Sequence, residues 1–91
     1  MRRVHALAAG EVQGVGYRYT MKRVADEAGA SGWVRNLSDG RVEAEVEGTP
    51  SQVDAVLEWM ARGPRGGRVA GLQVTDLPVI GGTGFEVRRD S

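Results

Sequence analysis

The chain contains no cysteine and only one histidine, His5. Without cysteine there is no thiol nucleophile, disulfide or cysteine–metal site, and a single histidine cannot build a histidine metal cluster. No apolar run approaches the roughly 18 residues that a membrane-spanning helix needs. Arg2 and Arg3 stand near the N-terminus, but no apolar stretch of signal-peptide length follows them. We therefore expect a cytoplasmic protein that binds no metal and does not enter a membrane.

Net charge and aromatic content are also low. The 12 basic and 12 acidic side chains cancel, which argues against non-specific binding to nucleic acid or to an anionic membrane. The aromatic residues are two Trp, two Tyr and one Phe. A chain of 91 residues forms one domain over 1–91, with a single two-layer core that buries roughly 60–65% of the extended surface. No apolar interface patch is apparent, so we expect a monomer.

The N-terminal third reads as a strand followed by a helix. The compact apolar run 2–9 predicts a central strand. Residues 17–28 predict a helix that ends at Gly29. Its apolar positions recur at i, i+3, i+4 and i+7, as Met21, Val24, Ala25 and Ala28.

The middle of the chain reads as a β-hairpin. Asp39-Gly40 lies between two strand-like runs, 32–38 and 41–47, and this dipeptide is a strong hairpin signal. In the second run, apolar and acidic residues alternate as Val42, Glu43, Ala44, Glu45, Val46 and Glu47. A period of two predicts one buried face and one acidic face in solvent. Paired carboxylates can also perform acid–base catalysis, but the solvated strand face is the favoured interpretation.

The C-terminal third predicts a second helix and two further strands. Thr49 caps a helix whose first residue is Pro50, and Gln52 completes a capping box. The helix ends at Gly63-Pro64, a strand follows over 68–76, and Phe85 and Val87 mark a short last strand. The order β-α-β-β-α-β is that of the α+β ferredoxin-like sandwich, with two helices on one face of an antiparallel sheet. The short last strand is an addition to it.

The loop between the first strand and first helix has the composition of an anion cradle. It reads Gly10-Glu11-Val12-Gln13-Gly14-Val15-Gly16-Tyr17-Arg18. Glycines let successive backbone N–H groups point at one ligand, and the helix start adds a positive partial charge. A guanidinium in the first helical turn is unfavourable by about 0.3–1 kcal/mol, so Arg18 suggests a bound anion such as phosphate. The alternative is a tight turn in which the glycines are needed only for steric reasons and bind no ligand.

Asn36 is a second candidate, because asparagine is disfavoured inside a strand. Its carboxamide both donates and accepts hydrogen bonds, so it can hold a water molecule. The alternative is a turn residue that precedes the hairpin.

These segments resemble the acylphosphatase family. The stretch Gly10-x-Val12-Gln13-Gly14-Val15-x-Tyr17-Arg18 is similar to the first signature of that family. A second stretch, Gly32-Trp33-Val34-Arg35-Asn36-x-x-x-Gly40-x-Val42 followed by Gly48, is similar to its second signature. Thr49-Pro50 and the closing Gly84-Phe85-Glu86-Val87 also fit. The resemblance covers nearly the whole chain, and the two signatures together are highly specific.

The resemblance implies a ferredoxin-like enzyme that hydrolyses acyl phosphates to carboxylate and inorganic phosphate without metal or cofactor. It implies that Arg18 binds the substrate phosphate and that Asn36 orients the attacking water. The phosphate cradle then comprises Gln13, Gly14, Val15, Gly16 and Tyr17. Two positions depart from the usual pattern: Leu37 stands where many members have threonine, and Gly16 where bulkier residues are common. The aromatic residue that some members place near the C-terminus is also missing.

Three rival interpretations remain open from the residues alone. Ferredoxin-like domains also bind RNA on the open sheet face. In that interpretation Tyr17 and Tyr19 stack on bases, but neutral charge and a glutamate row disfavour it. A non-catalytic anion-binding module would use the same cradle. The third interpretation is a domain of a larger carbamoyl-handling protein. The initial Met and the end at residue 91 lead us to expect a free-standing enzyme instead.

Overall fold

The computed structural model describes residues 1–90, which form five strands and two helices. In chain order they are β1 (Arg2–Glu11), α1 (Tyr17–Ala28), β2 (Ser31–Asn36), β3 (Val42–Gly48), α2 (Pro50–Arg62), β4 (Arg68–Leu77) and β5 (Phe85–Val87). The predicted order of elements is confirmed. Neither helix in the described part of the chain is long and apolar enough to cross a membrane.

The strands form one sheet in the order β4-β1-β3-β2-β5. The pairs β4–β1, β1–β3 and β3–β2 are antiparallel, as the ferredoxin-like arrangement requires. The sheet is nevertheless mixed rather than wholly antiparallel, because β5 lies parallel to β2, with Gly32 opposite Phe85 and Val34 opposite Val87. The predicted extra strand is therefore real, but its direction differs from that of an antiparallel sheet.

Both helices pack on one face of this sheet and enclose the core. In the sheet, Val4 lies opposite Val46 and Ala6 opposite Ala44, and all four are fully buried. From the helices, the core receives Met21, Ala25, Val53, Val56, Trp59 and Met60. The alternation that predicted a buried face of β3 is confirmed, since a period of two places every second side chain on the same side.

The helix limits predicted from local sequence signals agree with the structure, whereas the strand limits differ from the predicted ones. Gly29 adopts the left-handed conformation that ends α1, and Thr49 and Gln52 form both hydrogen bonds of the capping box. Strand β2 ends at Asn36, two residues before the predicted end at 38, because Leu37 N–H donates to Arg41 O (2.8 Å) and closes the hairpin there. Asn36 is consequently a strand residue and not part of the turn.

The glutamate row on the open face of the sheet is not solvated as predicted. The Glu47 side chain is fully buried, and it accepts hydrogen bonds from the N–H groups of Ile80 and Gly81, both 2.9 Å. Arg3, which is 5% exposed, contacts Glu45 at 2.8 Å and Glu47 at 3.3 Å.

The other end of the row is also paired. Glu43 lies 2.8 Å from His5 and 2.7 Å from Arg35, so His5 has a partner that the sequence did not reveal. The solvated interpretation was wrong because antiparallel pairing sets basic residues of β1 and β2 beside the acidic face of β3. Pairing across strands is long-range, and the alternation within β3 carries no information about it.

Candidate functional site

The cradle loop, residues Val12–Gly16, leads directly into the N-terminus of α1. Gly14 and Gly16 have φ values of 75° and 77°, a region that L side chains rarely adopt. Gly16 occupies the N-cap position, no side chain caps the helix, and its first turn holds no acidic residue. The first N–H groups of a helix have no partner within the helix, so this terminus presents uncompensated positive partial charge.

A small pocket lies beside this terminus. Its volume is about 170 Å³, and its lining residues are Val12, Gly14, Gly16, Tyr17, Arg18, Tyr19 and Asn36. Arg18 belongs to the first turn of α1 and Asn36 is the last residue of β2. The two candidate residues, which come from separate elements, thus share one pocket.

The sheet and its pairing set the position of Asn36. It lies opposite Val42 on β3 and two residues after the buried Val34, so its side chain is on the helix-covered side of the sheet. The residue is 9% exposed. A polar side chain at the end of an otherwise apolar strand face therefore lines the pocket instead of contributing to the core.

Gln13 and Val15 are in the cradle loop, but their side chains are not part of the pocket lining. Gln13 Nε2 donates to the carbonyl oxygens of Leu37 (2.7 Å) and Arg41 (2.9 Å), and Val15 packs against the core. The Gln13 side chain thereby fastens the cradle loop to the hairpin turn that begins directly after Asn36. A role for these two residues at the pocket would therefore fall to their backbone N–H groups.

Tyr17 has a structural contact that its place in the loop did not reveal. The residue is 2% exposed, the centroid of its ring lies 4.9 Å from that of the Trp59 ring, and its hydroxyl donates to Met60 O at 2.7 Å. Burial raises the pKa of this hydroxyl above its usual range. The side chain thus connects the start of α1 to α2. The interpretation in which Tyr17 stacks on bases is wrong, because the residue is buried. Tyr19, by contrast, is 68% exposed at the pocket.

Arg18 has an acidic neighbour that sequence reasoning missed. Its Nη1 donates to Asp90 Oδ1 at 3.1 Å and lies 3.4 Å from Arg88 O. The Arg18 side chain is 23% exposed and that of Asp90 is 63% exposed. The sequence feature that could have indicated a distant acidic partner for Arg18 is the lack of any acidic residue in the first turn of α1. Among residues 1–90, no group of three acidic or histidine side chains is placed to hold a metal ion.

Comparison with known proteins identifies the family. The acylphosphatase family model matches residues 4–87. The chain belongs to the acylphosphatase family. It is 55% identical over 91 residues to an acylphosphatase of Methylococcus capsulatus, with 99% of each chain covered. It is 52% identical over 86 residues to an acylphosphatase of Pseudomonas paraeruginosa, with 94% of each chain covered.

Solved structures agree with the sequence comparisons. The crystal structure of an acylphosphatase from Bacillus subtilis superposes with a TM-score of 0.91 at 32% identity, covering 97% of this chain and 99% of the other. The predicted resemblance and the ferredoxin-like fold are confirmed. As a member of the acylphosphatase family, the chain is a hydrolase that acts on acyl phosphates.

Proposed function

We propose that the pocket between α1 and β2 is the active site, in which Arg18 binds the substrate phosphate and Asn36 holds the attacking water. The observation that carries the proposal is the single pocket shared by Arg18, Asn36 and the cradle glycines. A helix N-terminus with no acidic residue in its first turn attracts an anion through its free N–H groups and partial charge.

Phosphate binding is divided between one side chain and the loop backbone. The Arg18 guanidinium presents a planar fork that bonds two phosphate oxygens at once. Backbone N–H groups of Gln13, Gly14, Val15, Gly16 and Tyr17 are our candidates for the remaining oxygens. Together they stabilise the charge that spreads over the phosphoryl oxygens in the transition state.

Hydrolysis then needs little more than a correctly placed water. The Asn36 carboxamide donates to and accepts from that water and aims its oxygen at phosphorus, opposite the leaving group. The new oxygen–phosphorus bond forms as the bond from phosphorus to the acyl oxygen breaks, and the electron pair leaves with the carboxylate. A phosphate oxygen is our candidate acceptor for the water's proton. Because carboxylate is a good leaving group, positioning and charge stabilisation account for most of the catalysis.

We further propose that residues 1–91 act as one domain, as a monomer, and in the cytoplasm. Acyl phosphate is the substrate, inorganic phosphate is a product, and neither nucleic acid nor membrane is a partner. Charge neutrality supports the last point, since the 12 basic and 12 acidic side chains cancel. We expect the enzyme to accept substrates with many different acyl groups, because the site recognises the phosphate group.

The test is hydrolysis of benzoyl phosphate with EDTA present, comparing the wild type with Asn36→Ala. We expect metal-free turnover in the wild type and a fall in kcat of about 100-fold in the variant, by analogy with the loss of one transition-state hydrogen-bonding group. KM should change little, since the water is not part of substrate binding. Ser38→Ala, in the exposed turn beyond β2, is the matched control and should retain full activity.

Other outcomes are equally informative. A folded wild type that binds phosphate but does not hydrolyse benzoyl phosphate would be an anion-binding module, contrary to the proposal. A rise in KM alone in Asn36→Ala would mean that Asn36 binds substrate rather than water. Full activity in Asn36→Ala would remove Asn36 from the mechanism.

A further inference from the structure

The segment after β5 reaches across to the proposed phosphate-binding arginine. We propose that Asp90 is a positioning residue, which holds the Arg18 guanidinium in the orientation that binds phosphate. This inference rests on the proposed role of Arg18. It starts from the two hydrogen bonds that the segment accepts, at Asp90 Oδ1 (3.1 Å) and Arg88 O (3.4 Å).

The geometry of these contacts favours orientation over blockage. Both hydrogen bonds use Nη1 of Arg18. Among residues 88–90, the described part of the segment after β5, no group engages Nη2 or Nε, and these two nitrogens can form a bidentate pair with phosphate. Arg18 lines the pocket, whereas the described lining residues do not include Arg88 or Asp90. The Asp90 carboxylate thus contacts the guanidinium without being part of the pocket lining, which is the arrangement expected of a positioning residue.

Asp90 also compensates the charge of Arg18, which no acidic residue in the first turn of α1 does. Arg18 stands in the first turn of α1, where a cation is disfavoured by the helix dipole, and that turn contains no acidic residue. Asp90 supplies the missing carboxylate from a distant part of the chain. As an exposed pair, at 23% and 63% side-chain exposure, the contact should contribute little to folding stability, so its effect is on the side-chain orientation.

The consequence concerns binding rather than the chemical step. A long side chain that is already ordered loses less conformational freedom when the ligand arrives, and this improves affinity for every ligand that uses it. Removal of Asp90 should therefore weaken substrate and product phosphate in parallel. It should not change the step in which water attacks, because the bound Arg18 has reached the same position.

The experiment compares Asp90→Ala and Asp90→Asn with the wild type in benzoyl phosphate hydrolysis and in calorimetric titration with inorganic phosphate. For Asp90→Ala we expect KM and the phosphate Kd each to rise by about 2- to 10-fold, the range for ordering one long side chain, with kcat within twofold. Asp90→Asn should lie closer to the wild type, since its carboxamide oxygen still accepts from Nη1. Asp76→Ala is the control, because Asp76 is an exposed partner of Arg2 (3.4 Å) on β4.

The opposite results would overturn the inference. Unchanged KM and Kd would reduce the contact to a surface ion pair, and tighter phosphate binding in both variants would make Asp90 a competitor of the ligand. A fall in kcat without a change in Kd would assign Asp90 to the chemical step. A wild type that binds phosphate without turnover would refute the proposed hydrolysis, yet the phosphate Kd of the variants would still decide the role of Asp90. If the wild type bound no phosphate, both proposals would fail.

Discussion

Arg3 and Arg18 are both paired with carboxylates, but their surroundings differ. Arg3 is 5% exposed and contacts Glu45 and Glu47, the second of which is fully buried and also bonded to two backbone N–H groups. The Arg18 side chain is 23% exposed and contacts one carboxylate, that of Asp90, whose side chain is 63% exposed. Both arginines line a pocket, but two carboxylates hold Arg3 there, whereas the pocket of Arg18 lies beside a helix N-terminus.

The difference separates a structural arginine from one that is available to a ligand. A buried charge is tolerated only when protein groups satisfy it, so Glu45 and Glu47 offset the charge of Arg3 and reduce its attraction for a further anion. An exposed ion pair is worth about 0–1 kcal/mol, and a phosphate can therefore add to or displace the partners of Arg18 at small cost. Burial and the number of partners distinguish the two roles, and residue type does not.

The largest effect on activity is expected at Arg18. Arg18→Ala should lower kcat/KM by about 100-fold or more, because each charge-assisted hydrogen bond to phosphate is worth roughly 1.5–3 kcal/mol and the fork makes two. The free energy of unfolding should change by less than about 1 kcal/mol, as for an exposed pair. Steady-state kinetics and urea denaturation measure the two quantities.

Two further variants sharpen the Arg18 result. Arg18→Lys keeps the charge but loses the fork, and it should recover only part of the activity. Arg23→Ala, an exposed arginine on the same helix, should be indistinguishable from the wild type. Near-normal turnover in a folded Arg18→Ala protein would contradict the proposed phosphate site.

The reverse pattern is expected at Arg3. Arg3→Met leaves the buried Glu47 carboxylate without its cation, and removal of one partner from a buried pair is strongly destabilising. We expect Tm to fall by about 10 °C or more, while kcat and KM well below that temperature stay near their wild-type values. Thermal unfolding followed by circular dichroism supplies the measurement.

Arg2→Ala is the matched control for Arg3, since Arg2 is the neighbouring residue and pairs with exposed Asp54 and Asp76. Its Tm should fall by no more than a few degrees. Equal losses in the two variants would mean that burial does not distinguish these arginines. A loss of activity in folded Arg3→Met would connect the buried cluster to the active site.

A smaller effect should appear in the pH dependence of stability. Hydrogen bonds from the Ile80 N–H, then from the Gly81 N–H and Arg3, hold the pKa of Glu47 below its usual range in spite of burial. The pKa of Glu43 is also lowered, because hydrogen bonds from His5 and Arg35 outweigh the opposing effect of its burial. A depressed folded-state pKa contributes stability that is fully present above the unfolded value of about 4.3 and is lost as pH falls through the folded value.

The measurement is Tm between neutral pH and about pH 3. We expect a plateau at the upper end, a decline that begins near the unfolded glutamate pKa of about 4.3, and a shallower decline in Glu47→Gln, where one titrating carboxylate has been removed. The residual decline in that variant belongs to groups such as Glu43. Parallel curves for the two proteins would show that the Glu47 contacts do not affect acid stability.

Much of the fold was predictable because its signals are local. The helix α1 was delimited by its apolar spacing and by Gly29, and α2 by the capping box of Thr49 and Gln52, since these interactions lie within a few residues of one another. The identities of Arg18 and Asn36 as candidates also came from local oddity: a cation in a first helical turn and an asparagine in a strand. Neither depended on knowing where the other residue lay.

The contacts between distant segments were not predictable in this way. Glu47 is one of three similar glutamates, and only the pairing of β3 with β1 and the loop before β5 makes it the buried one. The Gln13 side chain belongs to a glycine-rich loop, yet it binds the hairpin turn at Leu37 and Arg41. Such contacts depend on how strands are ordered across the sheet, which single-strand periodicity does not encode.

The amino-acid sequence alone determined the succession of elements, the helix termini and the glycine-rich loop, because hydrophobic periodicity, capping and backbone freedom act over a few residues. The tertiary structure decided which side chains meet. The order β4-β1-β3-β2-β5 brings the end of β2 beside the start of α1, so Arg18 and Asn36 line one pocket. It also brings the segment after β5 to Arg18, because burial of one apolar sheet face under two helices sets the strand order.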